Sequence, residues 1–307
     1  MARSPLFVRK QPGGVYHIDN TALTVGNIWY VDTNSAGEGT TSAYGYNPDS
    51  ALSSVANAWD RSDPALGTGD IILVAAGHTE SVSAAAGWDC DTAGVKLMGL
   101  GWGNIRPTIT LNTANTADID IDAASIMFEN LIFVANFLDI AAAIDVNAAA
   151  FWMRNCLCYD TSTILNALIW VLGASSTTSN AMVVEGCEFN AFGTANTACI
   201  SMPGTSDRCK ILDNTMIGDW GTAAILAAGV ITKAVILRNV VSNLDAGDDK
   251  CINIADTSTG ICAYNGVGAR ETDNSTDNIT CGTTMTLVQN YSVDEGDRQA
   301  VLDPVAT

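Results

Sequence analysis

Apolar and polar positions alternate along this chain in short runs that return at a nearly fixed interval. Ile126-Met127-Phe128-Glu129-Asn130-Leu131-Ile132-Phe133 sets the pattern: apolar, any residue, apolar, polar, Asn, then apolar again. It returns at Phe151-Trp152-Met153-Arg154-Asn155 and, with Gly in place of Asn, at Met182-Val183-Val184-Glu185-Gly186. Ile211-Leu212-Asp213-Asn214, Val235-Ile236-Leu237-Arg238-Asn239, Ile261-Cys262-Ala263-Tyr264-Asn265 and Thr286-Leu287-Val288-Gln289-Asn290 continue it. The steps between anchors are 25, 31, 28, 25, 26 and 25 residues. A period of this size marks a stacked repeat architecture.

Side chains alternate across a strand, so the residues two and four before each anchor share a face. Two before it stand Phe128, Met153, Val184, Leu212, Leu237, Ala263 and Val288, all apolar, and one before it stand residues able to face water. Asn and Gly accept left-handed backbone most readily. The anchors Asn130, Asn155, Gly186, Asn214, Asn239, Asn265 and Asn290 therefore predict sharp corners, stacked so that Asn side chains can hydrogen-bond along the pile. A second apolar ladder keeps the same beat: Ile119/Ile121, Ile144/Val146, Ile169/Val171, Ile200/Met202, Ile225 and Ile252/Ile254. Two ladders in one register, with no helical period between them, predict an all-β chain folded as a single-stranded parallel β-helix.

The segments outside the repeat divide the chain further. Residues 1–26 form a basic arm in which Arg3, Arg9 and Lys10 cluster, and Pro5, Pro12, Gly13 and Gly14 keep it out of a regular element. Residues 27–68 open with the strand Ile28-Trp29-Tyr30-Val31-Asp32. After a Gly/Ser/Thr-rich loop, Asp49-Ser50 can N-cap a helix whose Leu52, Val55, Ala56 and Trp59 share one face. Such a helix can cap the open end of a solenoid, whose core and strand edges need covering. The β-helix itself spans residues 69–295, with longer loops at Gly173–Asn180 and Pro203–Arg208, and 296–307 is a tail.

Composition narrows the function. Apolar residues make up 48% of the chain and charged residues only 15%, enough for a long core. The net charge of −19 and pI near 4.1 exclude nucleic acid and anionic membrane as main partners, because both carry the same sign. The Met1-Ala2-Arg3-Ser4-Pro5 start is no apolar signal run, and the polar repeats leave no membrane span. Nine Cys without metal-type spacing, several beside the anchors, read as small buried thiols kept reduced in a cytoplasm.

At this point the residues carry a resemblance. Trp29-Tyr30-Val31-Asp32, Asn47-Pro48-Asp49-Ser50-Ala51-Leu52 and Gly69-Asp70-Ile71-Ile72-Leu73-Val74-Ala75 resemble the opening segment of right-handed, pectate-lyase-like β-helix proteins. With Gly218-Asp219-Trp220-Gly221-Thr222-Ala223-Ala224 and Asp297-Arg298-Gln299-Ala300-Val301-Leu302-Asp303-Pro304, nearly the whole chain is similar to β-helix structural proteins of tailed-phage virions. The resemblance implies right-handedness, a homotrimer, folding in a host cytoplasm and a place on the capsid exterior. It also raises polysaccharide cleavage, which lyases of the pectate-lyase-like group perform with carboxylate-bound calcium and a basic residue.

Candidate chemistry is sparse. Asp118, Asp120 and Asp122 alternate along one strand face and Asp145 follows one period after Asp120; a cation would relieve their repulsion, but no Arg shares their frame. For a hydrolase, Asp219 with Asp245, Asp248 or Asp249 is the best carboxylate set, with Trp220 as a sugar-stacking surface. The two His, His17 and His78, build no triad or metal cluster. Ala141–Ala143, Ala148–Ala150 and Ala223–Ala228 offer smooth outer patches for packing copies together. The expectation is a non-enzymatic virion protein without cofactor or metal, its arm anchoring through Arg3, Arg9 and Lys10 to the major capsid protein or another virion protein. The alternative is a tail-associated β-helix that binds or depolymerises a surface polysaccharide, touching it through Asp219, Trp220, Asp248 and Asp249.

Overall fold

The computed structural model describes residues 7–9, 16–18, 26–245, 247, 250–269, 278–294 and 301–302. The chain winds into a β-solenoid of about 8 turns, each turn laying down three short strands. The first ladder is a sheet of ten parallel strands, from Ile28–Val31 and Ile71–Val74 at one end to Gly260–Ala263 and Met285–Val288 at the other. The second ladder begins with Thr79–Val82, Thr108–Leu111 and Ile132–Ala135, and the third with Trp88–Cys90, Ile119–Ile121 and Ile144–Val146. Glu188–Ser201 and Thr215–Ala227 run through both, which fuses the two ladders into one sheet. With neighbouring strands roughly 4.8 Å apart, the pile is on the order of 40 Å long.

The second apolar ladder of the sequence is the inward face of the third sheet. Ile119 pairs with Ile144, Ile144 with Val171, Val171 with Ile200, Ile200 with Ile225 and Ile225 with Ile252, all buried. The rung above Ile144 is Val171 and not Ile169, because both Trp170 and Val171 are buried and the strand slips by two residues there. Aromatic residues fill the wider part of the interior: Phe128 stacks on Phe133 at 6.2 Å and meets Phe151 edge-on at 5.3 Å.

The corner ladder is built differently from the sequence expectation. Asn130, Asn155 and Gly186 do take positive φ and turn the chain. Beyond them Glu185 pairs with Leu212, which sets Asp213, not Asn214, opposite Gly186. From there the left-handed corner residues are Asp213, Arg238, Tyr264 and Gln289, each just before its Asn. A shift of one residue exchanges faces. Thus Ile211, Ile236 and Cys262 point inward, while Leu212 and Leu237, expected inside, face out half-buried.

The displaced Asn residues turn into the core and form the ladder. Asn214, Asn239, Asn265 and Asn290 are buried, and each Nδ2 donates to the Oδ1 of the next at 2.9–3.0 Å. That same Oδ1 accepts the backbone N–H of the rung before it, and each Nδ2 also reaches a main-chain carbonyl. Cys156 and Cys187 occupy the equivalent position in the two preceding turns, where each thiol donates to a carbonyl two residues back. All cysteines but the half-buried Cys281 are buried.

The N-terminal end is sealed by residues 26–68. The helix is short, Val55–Trp59, and is capped by Ser54 rather than by Asp49-Ser50. Glu80 of the first turn holds it: its carboxylate accepts the Val55 and Ala56 N–H groups and Trp88 Nε1, and meets His78 Nε2 at 3.2 Å. His78 is buried, and its Nδ1 accepts from Thr33 N, so Nε2 carries the proton toward Glu80. Arg61 lies over Trp29 at 3.9 Å and donates to the carbonyls of Ser42, Tyr44 and Pro64, pinning the loop.

One expectation about the ends is revised. The arm is not devoid of regular structure, since Phe7–Arg9 and Tyr16–Ile18 pair as an antiparallel hairpin. In the tail, Val301–Leu302 pairs antiparallel with the last strand, Asn290–Asp294, and so lies over the final turn. Among the described residues no helix is long and apolar enough to cross a membrane.

Candidate functional site

The outward face of the third ladder carries a row of carboxylates. In Trp88-Asp89-Cys90, Ile119-Asp120-Ile121 and Ile144-Asp145-Val146 the flanking apolar residues are buried, which forces the central Asp outward. The pairing register places Asp89, Asp120 and Asp145 directly over one another on successive turns. Asp118 and Asp122 flank Asp120 on the same face. Like charges set opposite one another in a sheet repel. Among the described residues none of the three central carboxylates pairs with Lys or Arg; the ion pairs lie elsewhere, as in Lys96–Glu129 and Arg238–Asp213.

This environment favours protons. Burial, then the charges of Asp118, Asp122, Asp145 and Asp89, pushes the Asp120 carboxyl up to about 6. Asp145 is raised by burial and by Asp118 and Asp122, and Asp89 by burial and by Asp91, Asp122 and Asp60. Asp118 is raised by burial, against which the Ala86 N–H donates to its Oδ1 at 2.5 Å. Asp122 accepts from Asn147 Nδ2. Among the described residues no three His, Cys, Asp or Glu side chains converge as the ligands of a metal would.

The row runs into a cleft at its N-terminal end. Trp59, Asp60, Arg61, Ala65, Leu66, Asp89, Asp91 and Thr92 line a hollow of about 240 Å³, so Asp89 belongs to both row and cleft. One turn of the solenoid separates Asp89 from Asp120, roughly 4.8 Å between backbones. A glycoside-cleaving pair needs one carboxyl that keeps its proton, and Asp120, pushed up to about 6, is suited to that part.

The residues singled out in the sequence fare unevenly. Asp120, Asp118, Asp122 and Asp145 come together in the row, whereas Asp89, one of its central members, was not among them. Trp220 is fully buried and cannot offer a sugar-stacking face: it lies on the inward side of Thr215–Ala227, with Asp219 half-buried on the outward side. Asp248 and Asp249 lie outside the described residues, as do Arg3 and Lys10; Arg9 ends the first hairpin strand. Of the Ala patches, Ala142, Ala143, Ala223, Ala224 and Ala227 are buried, Ala148–Ala150 are half-buried, and Ala141 and Ala228 are exposed.

No family model and no curated protein matches this chain. Among solved structures it is similar to a GH136 lacto-N-biosidase from Eubacterium ramulus, with 11% identity, a TM-score of 0.52 and 87% of this chain covered. The match takes in 56% of that structure, so the chain spans about half the length of the biosidase. A rhamnogalacturonan lyase matches at 9% identity and a TM-score of 0.48, over 91% of this chain and 90% of that one. The likeness to the biosidase is one of fold. It nonetheless corrects the expectation that this chain is not an enzyme, because the β-helix it shares is one on which a glycosidase is built.

Proposed function

We propose that this protein is a carbohydrate-active β-helix that cleaves a glycan at the Asp89–Asp120 pair, the second of the two roles weighed from the sequence. The observation that carries the reading is the register that sets Asp120, its carboxyl pushed up to about 6, one turn away from Asp89, which itself lines an open cleft. Asp120 protonates the glycosidic oxygen as the bond to the anomeric carbon breaks. Asp89 attacks that carbon from the opposite side, and Asp120 then takes a proton from the water that releases the sugar. The dense negative charge of the row disfavours an anionic ring at this point, so the residue cleaved is a neutral sugar.

The resemblance to virion β-helices suits this role, since a particle that meets a glycan-coated cell gains from cutting the coat. In that setting Arg3, Arg9 and Lys10 would attach the protein to its acidic particle, as a homotrimer on the tail or shell. Deleting residues 1–14 would then release it from the particle while the solenoid stays folded. The cleavage reading is tested by incubating the purified chain with a panel of neutral oligosaccharides and measuring new reducing ends. Activity that falls at least a hundredfold in both Asp120→Asn and Asp89→Asn supports the pair. Activity that survives both substitutions, or cleavage of no member of the panel, overturns it.

A further inference from the structure

A second cleft lies on a different corner of the solenoid, between the first and second ladders. It holds about 340 Å³ and is lined by Trp102, Gly103, Arg106, Asn130, Asn155, Cys156, Leu157, Gly186 and Glu188. None of these belongs to the carboxylate row.

Its wall is a shelf thrown out between Lys96–Gly99 and Thr108–Leu111. The shelf needs glycine twice, at Gly101 (φ 90°) and Gly103 (φ 56°), conformations that a side chain would strain. It is fastened rather than loose. Asn130 Nδ2 donates to Gly99 O and Gly101 O at 2.8 and 3.0 Å, and Ile105 O accepts Gly77 N at 2.7 Å. On this fixed shelf stands Trp102, 80% exposed, while the other six Trp residues are buried or half-buried. An indole held open to water at that level offers a flat apolar face to a ligand.

Arg106 stands beside it. Its Nε donates to Gly103 O at 3.0 Å and its Nη1 to Asn155 O at 3.1 Å, which orient the guanidinium. In a chain with 33 Asp and Glu, no carboxylate among the described residues pairs with this arginine. Its Nη2 makes no hydrogen bond among them either. Among the described residues the side-chain amide of Asn155 is likewise unused, and Glu188 accepts from Asn190 alone. An oriented fork of N–H donors without a carboxylate is matched best by a planar, bidentate one from outside.

We infer that this cleft is a non-catalytic anchoring site for an acidic sugar of the hexuronic type, carried on the same glycan or on its surroundings. The ring lies on Trp102, the ring carboxylate takes the Arg106 fork, and hydroxyls meet the Asn155 amide and the Glu188 carboxylate. The inference does not rest on cleavage at the row, and its test keeps the two apart.

The probe is tetragalacturonate, with its carboxyl-reduced, neutral counterpart as control, added to the full-length Asp120→Asn protein in a calorimeter. Trp102 emission is followed in parallel. Saturable binding of the uronate that quenches Trp emission is expected, with the neutral tetrasaccharide at least tenfold weaker. Arg106→Gln should weaken uronate binding about tenfold or more, the loss of a charge-assisted bidentate contact. Trp102→Ala, exposed and so without consequence for folding, should weaken it similarly and abolish the quench. In the protein with Asp120 intact, Trp102→Ala should leave cleavage of a short neutral oligosaccharide unchanged. Equal affinity for the charged and neutral tetrasaccharides, indifference to both substitutions, or no saturable binding of the uronate would each overturn the assignment.

Discussion

Asn239 offers the sharpest test of how this solenoid is held together. Its Oδ1 accepts Asn214 N at 3.1 Å and Asn214 Nδ2 at 3.0 Å, while its Nδ2 donates to Ile211 O at 3.0 Å and Asn265 Oδ1 at 2.9 Å. Asn239→Ala removes all four bonds at a point where Asn214, Asn239 and Asn265 are all buried. At a net value of about 1 kcal/mol for each bond the loss is about 4 kcal/mol. The Asn214 N–H, left with no acceptor, keeps the value from falling far below that. Because a solenoid's stability is a sum over neighbouring turns, the damage falls on the interfaces on both sides of this turn. The assay is urea unfolding followed by far-UV circular dichroism, read as a midpoint shift at constant slope. The paired control is Asn155→Gly. That Asn is exposed at positive φ and its side chain bonds to nothing among the described residues, so glycine should change stability by less than about 1 kcal/mol. A loss under about 1 kcal/mol for Asn239→Ala, or equal losses for both variants, would refute the assignment of the ladder to the inward Asn residues.

Three further outcomes follow from the structure. Asp120 has a folded pKa of about 6, raised from 3.8, so its stabilising contribution is complete below about pH 3.8 and is lost as pH rises through 6. Asp120→Asn should therefore raise the melting temperature at pH 7.5 and leave it nearly unchanged at pH 4. The gain is kept small by the partial exposure of the group, and an equal shift at both pH values would count against the row. Glu80→Gln removes the charge that receives the Val55 and Ala56 N–H groups, so hydrogen exchange should speed up in residues 55–60 without global unfolding. Gly260→Ala places a Cβ 2.1 Å from Ala234 O at a φ of 141° and should abolish soluble expression or shed the last turns, whereas Gly266→Ala, with nothing within 4 Å, should fold normally.

Much of the fold was legible because its register is written in apolar residues. Ile119, Ile144, Ile200, Ile225 and Ile252 mark one inward column, and their spacing needs no knowledge of the loops between them. The corner was less legible. Asp213-Asn214 presents two residues able to take positive φ, and spacing alone assigned the turn to the second. What decides is the demand of the interior: an Asn just past the corner can span one turn with its amide, and a charged Asp cannot be buried there without a partner. The hairpin that pairs Phe7–Arg9 with Tyr16–Ile18 was hidden by the Pro and Gly residues in the intervening sequence, which read as interruptions of strand.

The site was half visible for a related reason. Asp120 and Asp145 keep the 25-residue beat, while Asp89 lies 31 residues before Asp120 and falls off it. Yet Trp88-Asp89-Cys90 repeats the apolar-Asp-apolar triplet of Ile119-Asp120-Ile121, and a search by triplet rather than by interval would have found it. Trp102 was passed over because the glycines around it break the strand pattern, the same glycines that lift it into solvent. The row also bears on why it exists. Its register is locked by the buried Ile119–Ile144 and Ile121–Val146 columns, each large side chain contributing roughly 2 kcal/mol of burial, so packing holds the carboxylates together against their repulsion. Packing does not demand carboxylates, however: Thr, Ser or Asn would face water equally well at these three positions and remove the repulsion. A stack of aspartates, one of them protonated to about pH 6, is thus a feature the fold tolerates without needing it. Residues that cost stability and serve no packing role are where chemistry is to be sought.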